Sequence, residues 1–264
     1  MTTLRVALGQ VRIERDPEAN LATINELARR ASSQGARLLL LPEGLVGYDP
    51  ARPEYTAEAA QPESGPFVAG LARASREQGI ALAGTVHLLR GGQAENVFVL
   101  YDRGERLASY TKLHPYDAFA TRESDTVAPG EQLPPVVSLD GVRLGAMICY
   151  DLRFPDLAVS LALAGAEVIL CPAAWVKGPL KEHHWTTLVT ARALDTTCYL
   201  VACGSVGPLT IGRSMVVDPL GVTVAGAGEG AQLLLAELDL DRVAQARRGL
   251  PVLANRRLAP PRLP

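Results

Sequence analysis

Residues 142–155 read VRLGAMICYDLRFP, and this stretch says most about how the chain folds. An apolar run ends at Cys149, and a short turn leads to Pro155, a residue favoured in the first turn of a helix. A thiol where a buried strand ends, just before a helix, is a position at which a nucleophile is expected. The stretch therefore predicts a strand–turn–helix unit of an α/β protein, with a candidate nucleophile at the turn.

Strand-like and helical patterns alternate on both sides of this unit. The predicted strands cover residues 5–10, 36–41, 80–88, 96–101, 106–110, 167–171, 197–203, 214–218, 222–225 and 233–238. The predicted helices cover residues 17–33, 66–78, 155–164 and 183–195, and residues 241–264 hold a short helix and a C-terminal tail. Many strands with helices around them indicate two packed sheets, although a doubly wound single sheet fits the pattern as well.

One segment, residues 114–135, is rich in Pro, Asp and Gly and is predicted to be irregular. A loop of this length inside a compact domain usually carries function. We therefore expect it to contribute to a binding site.

Length and charge restrict the class of protein. The 264 residues are predicted to form one domain, 1–264, and the net charge of −2 leaves no basic face for nucleic acid or for a membrane surface. No apolar stretch approaches the roughly 20 residues that span a bilayer. The N-terminus enters a strand pattern without a charged leader and a long apolar segment, so we expect a cytoplasmic protein.

Four cysteines occur, at positions 149, 171, 198 and 203, without paired spacing. They are interpreted as reduced thiols of a reducing compartment. A zinc site that combines them with His183 and His184 is disfavoured, because the chain has no CxxC pair and no HxxxH spacing. Neither a metal nor another cofactor is predicted.

Two further strand ends carry groups that would suit a nucleophile. Glu43 follows Pro42 at the end of an apolar run, and a partly desolvated carboxylate there can act as a base. Lys112 ends another strand and could supply positive charge to a thiol. Taken singly, each has an ordinary alternative: Glu43 as a solvated loop carboxylate, Lys112 as a surface charge, and Cys149 as an inert buried thiol.

A set of motifs in chain order decides between these alternatives, because together they resemble the nitrilase superfamily of carbon–nitrogen hydrolases. They are LPEG (41–44), YTKLH (110–114), RESDTVAPG (122–130), ICYDLRFP (148–155), CPAAW (171–175), RALD (192–195) and GRSMVVDPLG (212–221). The resemblance runs from about residue 4 to about residue 240. It implies a four-layer α-β-β-α sandwich of two packed sheets.

The resemblance also implies a Glu-Lys-Cys triad formed by Glu43, Lys112 and Cys149. In that scheme Glu43 is the base, Cys149 attacks an amide carbon, and Lys112 with the backbone N–H of Tyr150 stabilises the oxyanion. Glu123 matches a second glutamate of the family pocket, which helps to position substrate and lysine. Its alternative is a carboxylate that caps the Ser124 turn.

Four further residues lie near the implied triad in the sequence motifs. Tyr116 and Trp175 match pocket walls, with ordinary packing as the alternative. Asp151 and Arg153 are interpreted as a local structural pair after the cysteine.

The residues after Cys149 favour one branch of the family. True nitrilases carry Trp-Glu there and carbamoyl amidases Asn-Asp-Arg-Arg, whereas this chain has Tyr150 and Asp151. The likeness is to the amidase branch, which hydrolyses a small carboxylic acid amide to carboxylate and ammonia. A nitrilase, an N-carbamoyl amino acid amidohydrolase and a catalytically silent metabolite-binding member are the alternatives.

The resemblance further implies a homodimer or a higher homo-oligomer. Its contacts would come from the helices at 155–164 and 183–195, with the C-terminal tail reaching the neighbouring subunit. The identity of the amide, its chain length and its stereochemistry are not readable from the residues.

Overall fold

The computed structural model describes residues 3–49, 51–52, 54–119, 121–259 and 263, which include fifteen strands, six α-helices and two short 3₁₀ helices. The helices are α1 (Pro17–Ser33), α2 (Tyr55–Glu58), α3 (Pro66–Gln78), α4 (Pro155–Leu163), α5 (Lys181–Thr196) and α6 (Asp241–Gly249). The first eight strands are β1 (Thr3–Gln10), β2 (Leu38–Leu40), β3 (Ala81–Arg90), β4 (Gln93–Asp102), β5 (Glu105–Thr111), β6 (Asp117–Ala118), β7 (Thr121–Arg122) and β8 (Val127–Ala128). The remaining strands are β9 (Val137–Leu139), β10 (Val142–Ala146), β11 (Val168–Ala173), β12 (Tyr199–Gly204), β13 (Met215–Val217), β14 (Thr223–Gly226) and β15 (Gln232–Asp239).

The strands fall into two large sheets and one small hairpin. Among the described residues, the first sheet has the order β15-β1-β2-β3-β4-β5 with β8 paired to β4, and the second has the order β14-β13-β12-β11-β10-β9. Strands β1, β2 and β3 run parallel, as do β10, β11 and β12. The hairpin is β6-β7.

Side-chain alternation on a single strand shows how the layers are built. Leu38 and Leu40 of β2 belong to the core that also contains Leu144 and Ile169 of the second sheet. Leu39 instead lies in the core formed with the outer helices α1 and α3. Because successive side chains of a strand point to opposite faces, this apolar run serves two cores at once, which is why it is continuous.

The outer layers are helices with one apolar face each. Ile24 and Leu27 of α1 and Phe67 and Leu71 of α3 are buried against the first sheet. Helices α4 and α5 cover the second sheet, where Trp185 is fully buried. The order is helix, sheet, sheet, helix: the four-layer sandwich expected from the sequence, and not a doubly wound single sheet.

The differences from the expected elements are local. Strand β2 is shorter than the predicted 36–41, and α2 was not predicted. The segment 114–135 contains the short strands β6, β7 and β8 besides irregular backbone. Of the predicted tail, residues 260–262 and 264 lie outside the described residues.

Two general properties complete the fold. No helix within the described ranges is long and apolar enough to cross a membrane. All four cysteines are free and buried.

Candidate active site

A cavity of about 490 Å³ opens where strands of both sheets end. Its wall includes residues that follow the carboxyl ends of β1, β2, β10, β11 and β12, so the two sheets share one opening. All seven residues singled out from the sequence line it: Glu43, Lys112, Tyr116, Glu123, Cys149, Tyr150 and Trp175. Segments far apart in the chain therefore converge on one pocket.

Glu43 is held rigidly at the floor of this cavity. Its Oε1 accepts hydrogen bonds from Lys112 Nζ at 2.9 Å and from Asn96 Nδ2 at 2.8 Å, and its Oε2 accepts one from the Ala174 N–H at 2.8 Å. The Ala174 contact comes from the end of β11 and ties the first sheet to the second. The carboxylate orientation is thus determined by donors from three separate segments.

The backbone around Glu43 turns sharply at Gly44, whose φ is +77°. That value lies in the left-handed region, where glycine carries no steric penalty. The Gly44 N–H donates to Thr85 Oγ1 at 2.8 Å, which anchors the turn to β3. Glu43 therefore projects from a fixed bend, not from a mobile loop.

Lys112 lies between two carboxylates and is 2% exposed. Its Nζ donates to Glu43 Oε1 at 2.9 Å and to Glu123 Oε2 at 2.8 Å. Burial alone would lower the pKa of this ammonium, but the charges of Glu123 and Glu43 outweigh burial and raise the pKa well above its usual value. An ammonium has three N–H donors, so one remains for a group in the cavity.

Cys149 begins a 3₁₀ helix (Cys149–Arg153) two residues after the end of β10 and has a φ of +45°. A non-glycine residue in the left-handed region is strained, and such strain is concentrated at functional sites. The side chain is 7% exposed and lines the cavity. The turn therefore holds the thiol at the cavity wall in a conformation that the surrounding structure imposes.

The electrostatic environment favours a neutral thiol at rest. Burial and the nearby Glu43 carboxylate raise the pKa of Cys149 well above its usual value, and Lys112 offsets this only in part. Burial would likewise raise the pKa of Glu43, but the Lys112 ammonium, the Ala174 N–H and the Cys149 thiol together lower it. Lys112 therefore acts on the thiol pKa in the direction expected from the sequence, but burial and Glu43 outweigh it.

Asp151 organises the turn behind Cys149 and is completely buried. Its Oδ2 accepts from Tyr110 Oη at 2.9 Å and from the Ile148 N–H at 2.9 Å, and its Oδ1 accepts from the His114 N–H at 3.2 Å. His114 Nδ1 also lies 2.7 Å from Oδ1. Asp151 thus links the segment after Lys112 to the segment that carries Cys149.

This arrangement corrects the interpretation of Asp151 and Arg153 as a local pair. The Arg153 guanidinium lies 5.0 Å from the Trp175 ring centroid, and its Nη2 is 3.4 Å from His184 Nδ1. The Asp151 carboxylate instead faces β5 and the segment that follows it, whose buried donors satisfy both of its oxygens.

We expect Asp151→Asn to destabilise the protein. Each carboxylate oxygen faces two donors, so the amide NH₂ of asparagine would face donors in either orientation. A buried unsatisfied group costs about 1–3 kcal/mol, which corresponds to a fall in Tm of roughly 2–5 °C at this chain length. Calorimetry measures the change, with Asp156→Asn on the exposed start of α4 as control; equal Tm values for the two variants would contradict the assignment.

The remaining predicted residues form the walls. The Tyr116 N–H donates to Glu123 Oε2 at 2.6 Å, and the Tyr116 ring meets the Tyr150 ring edge-on at 5.1 Å between centroids. Trp175 is 4% exposed and packs against Trp185 at 5.3 Å. The Tyr150 N–H has no hydrogen-bond acceptor among the described residues.

Three cavity residues were missed by the sequence analysis. Asn96 donates from Nδ2 to Glu43 Oε1 at 2.8 Å and to Glu123 Oε1 at 3.4 Å, so it holds both carboxylates. Burial lowers the pKa of His87 to about 4, which keeps that ring neutral. Lys181 is 3% exposed at the start of α5. A polar residue within an otherwise apolar strand was an available signal for Asn96 and His87.

The described residues contain no group of three or more His, Cys, Asp or Glu side chains suited to hold a metal ion.

Comparison with known proteins places this geometry in a family. Residues 5–248 match the family model described as carbon-nitrogen hydrolase. The chain belongs to the carbon–nitrogen hydrolase family. A relative from Escherichia coli O157:H7, named deaminated glutathione amidase, is 45% identical over 259 residues, which covers 98% of this chain and 99% of the relative.

Solved structures agree with this assignment. A member of branch 10 of the nitrilase superfamily from Saccharomyces cerevisiae superposes with a TM-score of 0.85 at 28% identity, covering 97% of both chains. An amidase from Nesterenkonia sp. AN1 superposes with a TM-score of 0.80 at 33% identity, covering 94% of this chain and 98% of that one. That structure is of a glutamate-to-glutamine variant and shows Michael addition of acrylamide at the active-site cysteine.

This family membership makes the chain a cysteine-dependent amidase of the nitrilase superfamily. It hydrolyses amides.

Proposed function

We propose that this enzyme hydrolyses the amide of a small carboxylic acid to carboxylate and ammonia through a thioester on Cys149. The observation that carries the proposal is that Glu43, Lys112 and Cys149 share the wall of one cavity, where Lys112 lowers the pKa of Glu43 and burial raises that of Cys149. A buried acid, amine and thiol are not explained by stability, since apolar side chains of similar volume would avoid the free energy needed to desolvate the charges.

In the first half of the reaction, Glu43 takes the thiol proton while the Cys149 sulfur attacks the amide carbon. The C–S bond forms, and the carbonyl electrons move to oxygen. The oxyanion accepts a hydrogen bond from the third N–H of Lys112 and another from the unpaired Tyr150 N–H. The protonated Glu43 then transfers its proton to the leaving nitrogen, the C–N bond breaks, and ammonia departs.

In the second half, Glu43 takes a proton from water as the water oxygen attacks the thioester carbon. The same two donors stabilise the second oxyanion. When this intermediate collapses, the C–S bond breaks, Glu43 returns its proton to sulfur, and the acid leaves and ionises. Glu43 therefore acts as base and acid twice in each turnover, which suits a carboxylate fixed by three donors.

Glu123 supports this cycle without contacting the reacting atoms. Its carboxylate holds Lys112 from the side opposite Glu43, at 2.8 Å from Nζ. This contact limits the positions that the ammonium can adopt. In this proposal Glu123 is a positioning residue for the oxyanion donor.

A panel of compounds tests the reaction class. It contains short aliphatic amides, ω-amides of dicarboxylic acids, a nitrile and an N-carbamoyl amino acid, with ammonia as the measured product. Deaminated glutathione is added because of the name of the E. coli O157:H7 relative, with an amine in place of ammonia as its product. Turnover of the nitrile or the carbamoyl compound alone would contradict the amidase assignment.

The thioester itself is expected to be detectable on Cys149. Intact-protein mass spectrometry after rapid acid quenching of enzyme and amide should show the added acyl group, and peptide mapping should locate it at Cys149. Cys149→Ala, as control, should neither release ammonia nor gain the acyl mass. Turnover that persists in Cys149→Ala would refute the mechanism.

Thiol labelling gives an independent check. Acrylamide should modify Cys149, which lines the cavity, faster than Cys171, Cys198 and Cys203, which are fully buried and face no pocket of this kind. Equal slow rates at all four thiols would speak against an accessible nucleophile.

We also propose a cytoplasmic homodimer. Four free thiols suit a reducing compartment. Helices α4 and α5 pack against each other on the outer face of the second sheet, where Leu163 and Leu194 are 41% and 39% exposed. Sedimentation analysis measures the assembly, and a monomer at micromolar concentration would contradict it.

A further inference from the structure

The Asn96 amide connects the two carboxylates at the floor of the cavity. Its Nδ2 donates to Glu43 Oε1 at 2.8 Å and to Glu123 Oε1 at 3.4 Å. A flipped amide would instead point its oxygen at both carboxylates, which accept hydrogen bonds and cannot donate them when ionised. The amide therefore has one favourable orientation, with Nδ2 toward the carboxylates and Oδ1 away from them.

This orientation determines which oxygen of Glu43 can carry a proton. A carboxylate oxygen has two acceptor sites. Among the described residues, Oε1 accepts from Lys112 Nζ and Asn96 Nδ2, which fills both of its sites, whereas Oε2 accepts from the Ala174 N–H. The proton that Glu43 transfers in the proposed cycle is thereby directed to Oε2. Loss of the Asn96 donor would free a site on Oε1 and raise the pKa of Glu43.

The orientation of Asn96 needs support at its other end. Asn96 is 1% exposed, and its Oδ1 is buried without a hydrogen bond in the described part of the chain. A buried carbonyl oxygen that is left unsatisfied is costly, so a donor within reach is expected. That donor would hold the amide in its favourable orientation.

His87 on the neighbouring strand is placed to be this donor. Strands β3 and β4 are antiparallel, and His87 lies directly opposite Asn96. The two side chains therefore share one face of the sheet, with Cβ atoms about 4.5–5.5 Å apart. His87 is 3% exposed, and its Nδ1 is likewise buried without a partner among the described residues. An unsatisfied acceptor thus faces an unsatisfied ring nitrogen at the cavity wall.

Side-chain rotation can join these two atoms without moving the strands. Nδ1 and Oδ1 are not within hydrogen-bonding geometry in the structure. Each lies two bonds from its Cβ, and the terminal torsions of histidine and asparagine have broad energy profiles. A modest rotation of both side chains therefore brings the two atoms together.

The ionisation of His87 leaves it with one proton to place. Burial lowers the pKa of His87 to about 4, with Lys112 acting in the same direction and Glu123 and Glu43 in the opposite one. The ring is therefore neutral at neutral pH and carries a single N–H. Which nitrogen holds that proton is determined by its hydrogen-bond partner.

We propose that His87 carries its proton on Nδ1 and donates it to Asn96 Oδ1, which makes His87 a positioning residue for the general base Glu43. This inference rests on the proposed function, in which Glu43 takes the thiol proton. One alternative is that the ring only fills space, so that side-chain volume alone matters. The other is that the ring contacts the substrate, so that its loss changes KM more than kcat.

Three substitutions of His87 separate these explanations. Asparagine places an amide N–H near the former Nδ1, glutamine places one near the former Nε2, and leucine has the branched shape of asparagine without a donor. We expect kcat for the best amide of the panel to fall about 10-fold in His87→Leu and His87→Gln, the effect of one lost hydrogen bond, and about threefold in His87→Asn. A space-filling role predicts the reverse order, because asparagine is the smallest of the three.

The control is His183→Leu, the same substitution at an exposed position of α5. It should leave kcat unchanged within about twofold, as surface substitutions usually do.

The pH profile tests whether the effect passes through Glu43. The charged and titratable groups around Glu43 and His87 are Lys112, Glu123 and Cys149, and the His87 variants retain all three. In His87→Leu the carboxylate loses a fixed donor, so the acid limb of kcat/KM should move to higher pH, and in His87→Asn it should move less. Both variants lack the imidazole, so its own titration does not enter this comparison.

A double variant tests whether His87 acts through Asn96. Asn96→Leu alone should lower kcat by about 10- to 100-fold, the range for a hydrogen bond to a charged group. Adding His87→Leu to it should change kcat by less than about twofold, because members of one hydrogen-bond chain have non-additive effects. Additive losses would refute the route through Asn96.

The position of the proton can be measured without turnover. The chain has four histidines, so the nitrogen-15 NMR spectrum of His87→Asn identifies the signals of the His87 ring. We expect the native enzyme to carry the His87 proton on Nδ1 at neutral pH. A proton on Nε2 would refute the hydrogen bond to Asn96.

The outcomes distinguish this inference from the reaction on which it rests. If the enzyme hydrolyses no amide of the panel, the proposed function fails, whereas the His87 tautomer and the acrylamide labelling rate of Cys149 still test the positioning role. If hydrolysis stands but His87→Asn is no better than His87→Gln, the inference is refuted. A raised KM with unchanged kcat in His87→Leu would refute it as well. If His87→Leu does not fold, the comparison of the two amide variants decides.

Discussion

Glu43→Gln is expected to lower kcat by about 10³- to 10⁴-fold, near the upper end of what a general base contributes. The reason is that Glu43 transfers a proton in both halves of the proposed cycle, while the resting Cys149 is a thiol whose pKa is raised by burial and by Glu43 itself. Glutamine keeps the size of the side chain but cannot take a proton. Steady-state kinetics with the best amide of the panel measures the change.

The control for this variant is Glu77→Gln, the same substitution at an exposed position of α3. It should leave kcat unchanged within about twofold, as surface substitutions usually do. A Glu43→Gln enzyme that keeps more than a tenth of native kcat would show that another group removes the thiol proton.

Labelling of Cys149 distinguishes loss of the catalytic base from collapse of the pocket. The Glu43→Gln protein should still be alkylated at Cys149 by acrylamide over long incubation, because the cavity remains open. Loss of labelling together with a lowered Tm would mean that the substitution had collapsed the pocket, and Glu43→Asp would then replace it as the test.

The sheets could be predicted from the sequence because their strands are apolar runs that end at clear signals. Residues 36–41 stop at Pro42, and residues 142–148 stop at Cys149 before the turn to Pro155. The strands that were not predicted, β6 to β9, have only two or three residues each. Strand β8 forms because it pairs with β4, about 30 residues earlier. The local sequence does not indicate this pairing.

The candidate triad was accessible to sequence reasoning for a related reason. Glu43, Lys112 and Cys149 each follow a strand, and the ordered motifs distinguish them from ordinary surface or core residues. Lys181 was not accessible, since it stands in the polar run KEHH at a helix start and looks exposed. Its burial depends on Tyr116 and Phe119, more than 60 residues away.

The pKa shift of the Cys149 thiol could not be predicted from the sequence alone. The sequence offers a lysine near a cysteine, which suggests a lowered thiol pKa. In the structure that lysine is shared between Glu43 and Glu123, and burial determines the outcome for the thiol. The direction of a pKa shift depends on all charges in contact and on burial, neither of which the residue order reveals.

Lys112→Met is expected to lower kcat/KM by at least about 10²- to 10³-fold at neutral pH, the cost of removing one oxyanion donor. A second effect adds to it. Without the ammonium, Glu43 and Glu123 remain close together in a buried site, linked only through Asn96. Two carboxylates without a cation between them cannot both ionise easily, so the pKa of Glu43 should rise.

The higher pKa of Glu43 in Lys112→Met should change the pH dependence of kcat/KM. In the native enzyme the pKa of Glu43 is lowered, because the Lys112 charge and its hydrogen bond more than offset burial. The base therefore stays ionised far into the acid range, and activity should fall only at low pH. In Lys112→Met the acid limb of the kcat/KM profile should move to higher pH, and part of the lost activity should return as the pH is raised.

A second substitution tests the cause of this shift. In the double variant Lys112→Met with Glu123→Gln, Glu43 no longer faces a second carboxylate, so the acid limb should move back toward lower pH although the oxyanion donor is still missing. Lys177→Met should leave the profile unchanged. An acid limb that stays at its native position in Lys112→Met would show that the Lys112 charge does not control the ionisation of Glu43.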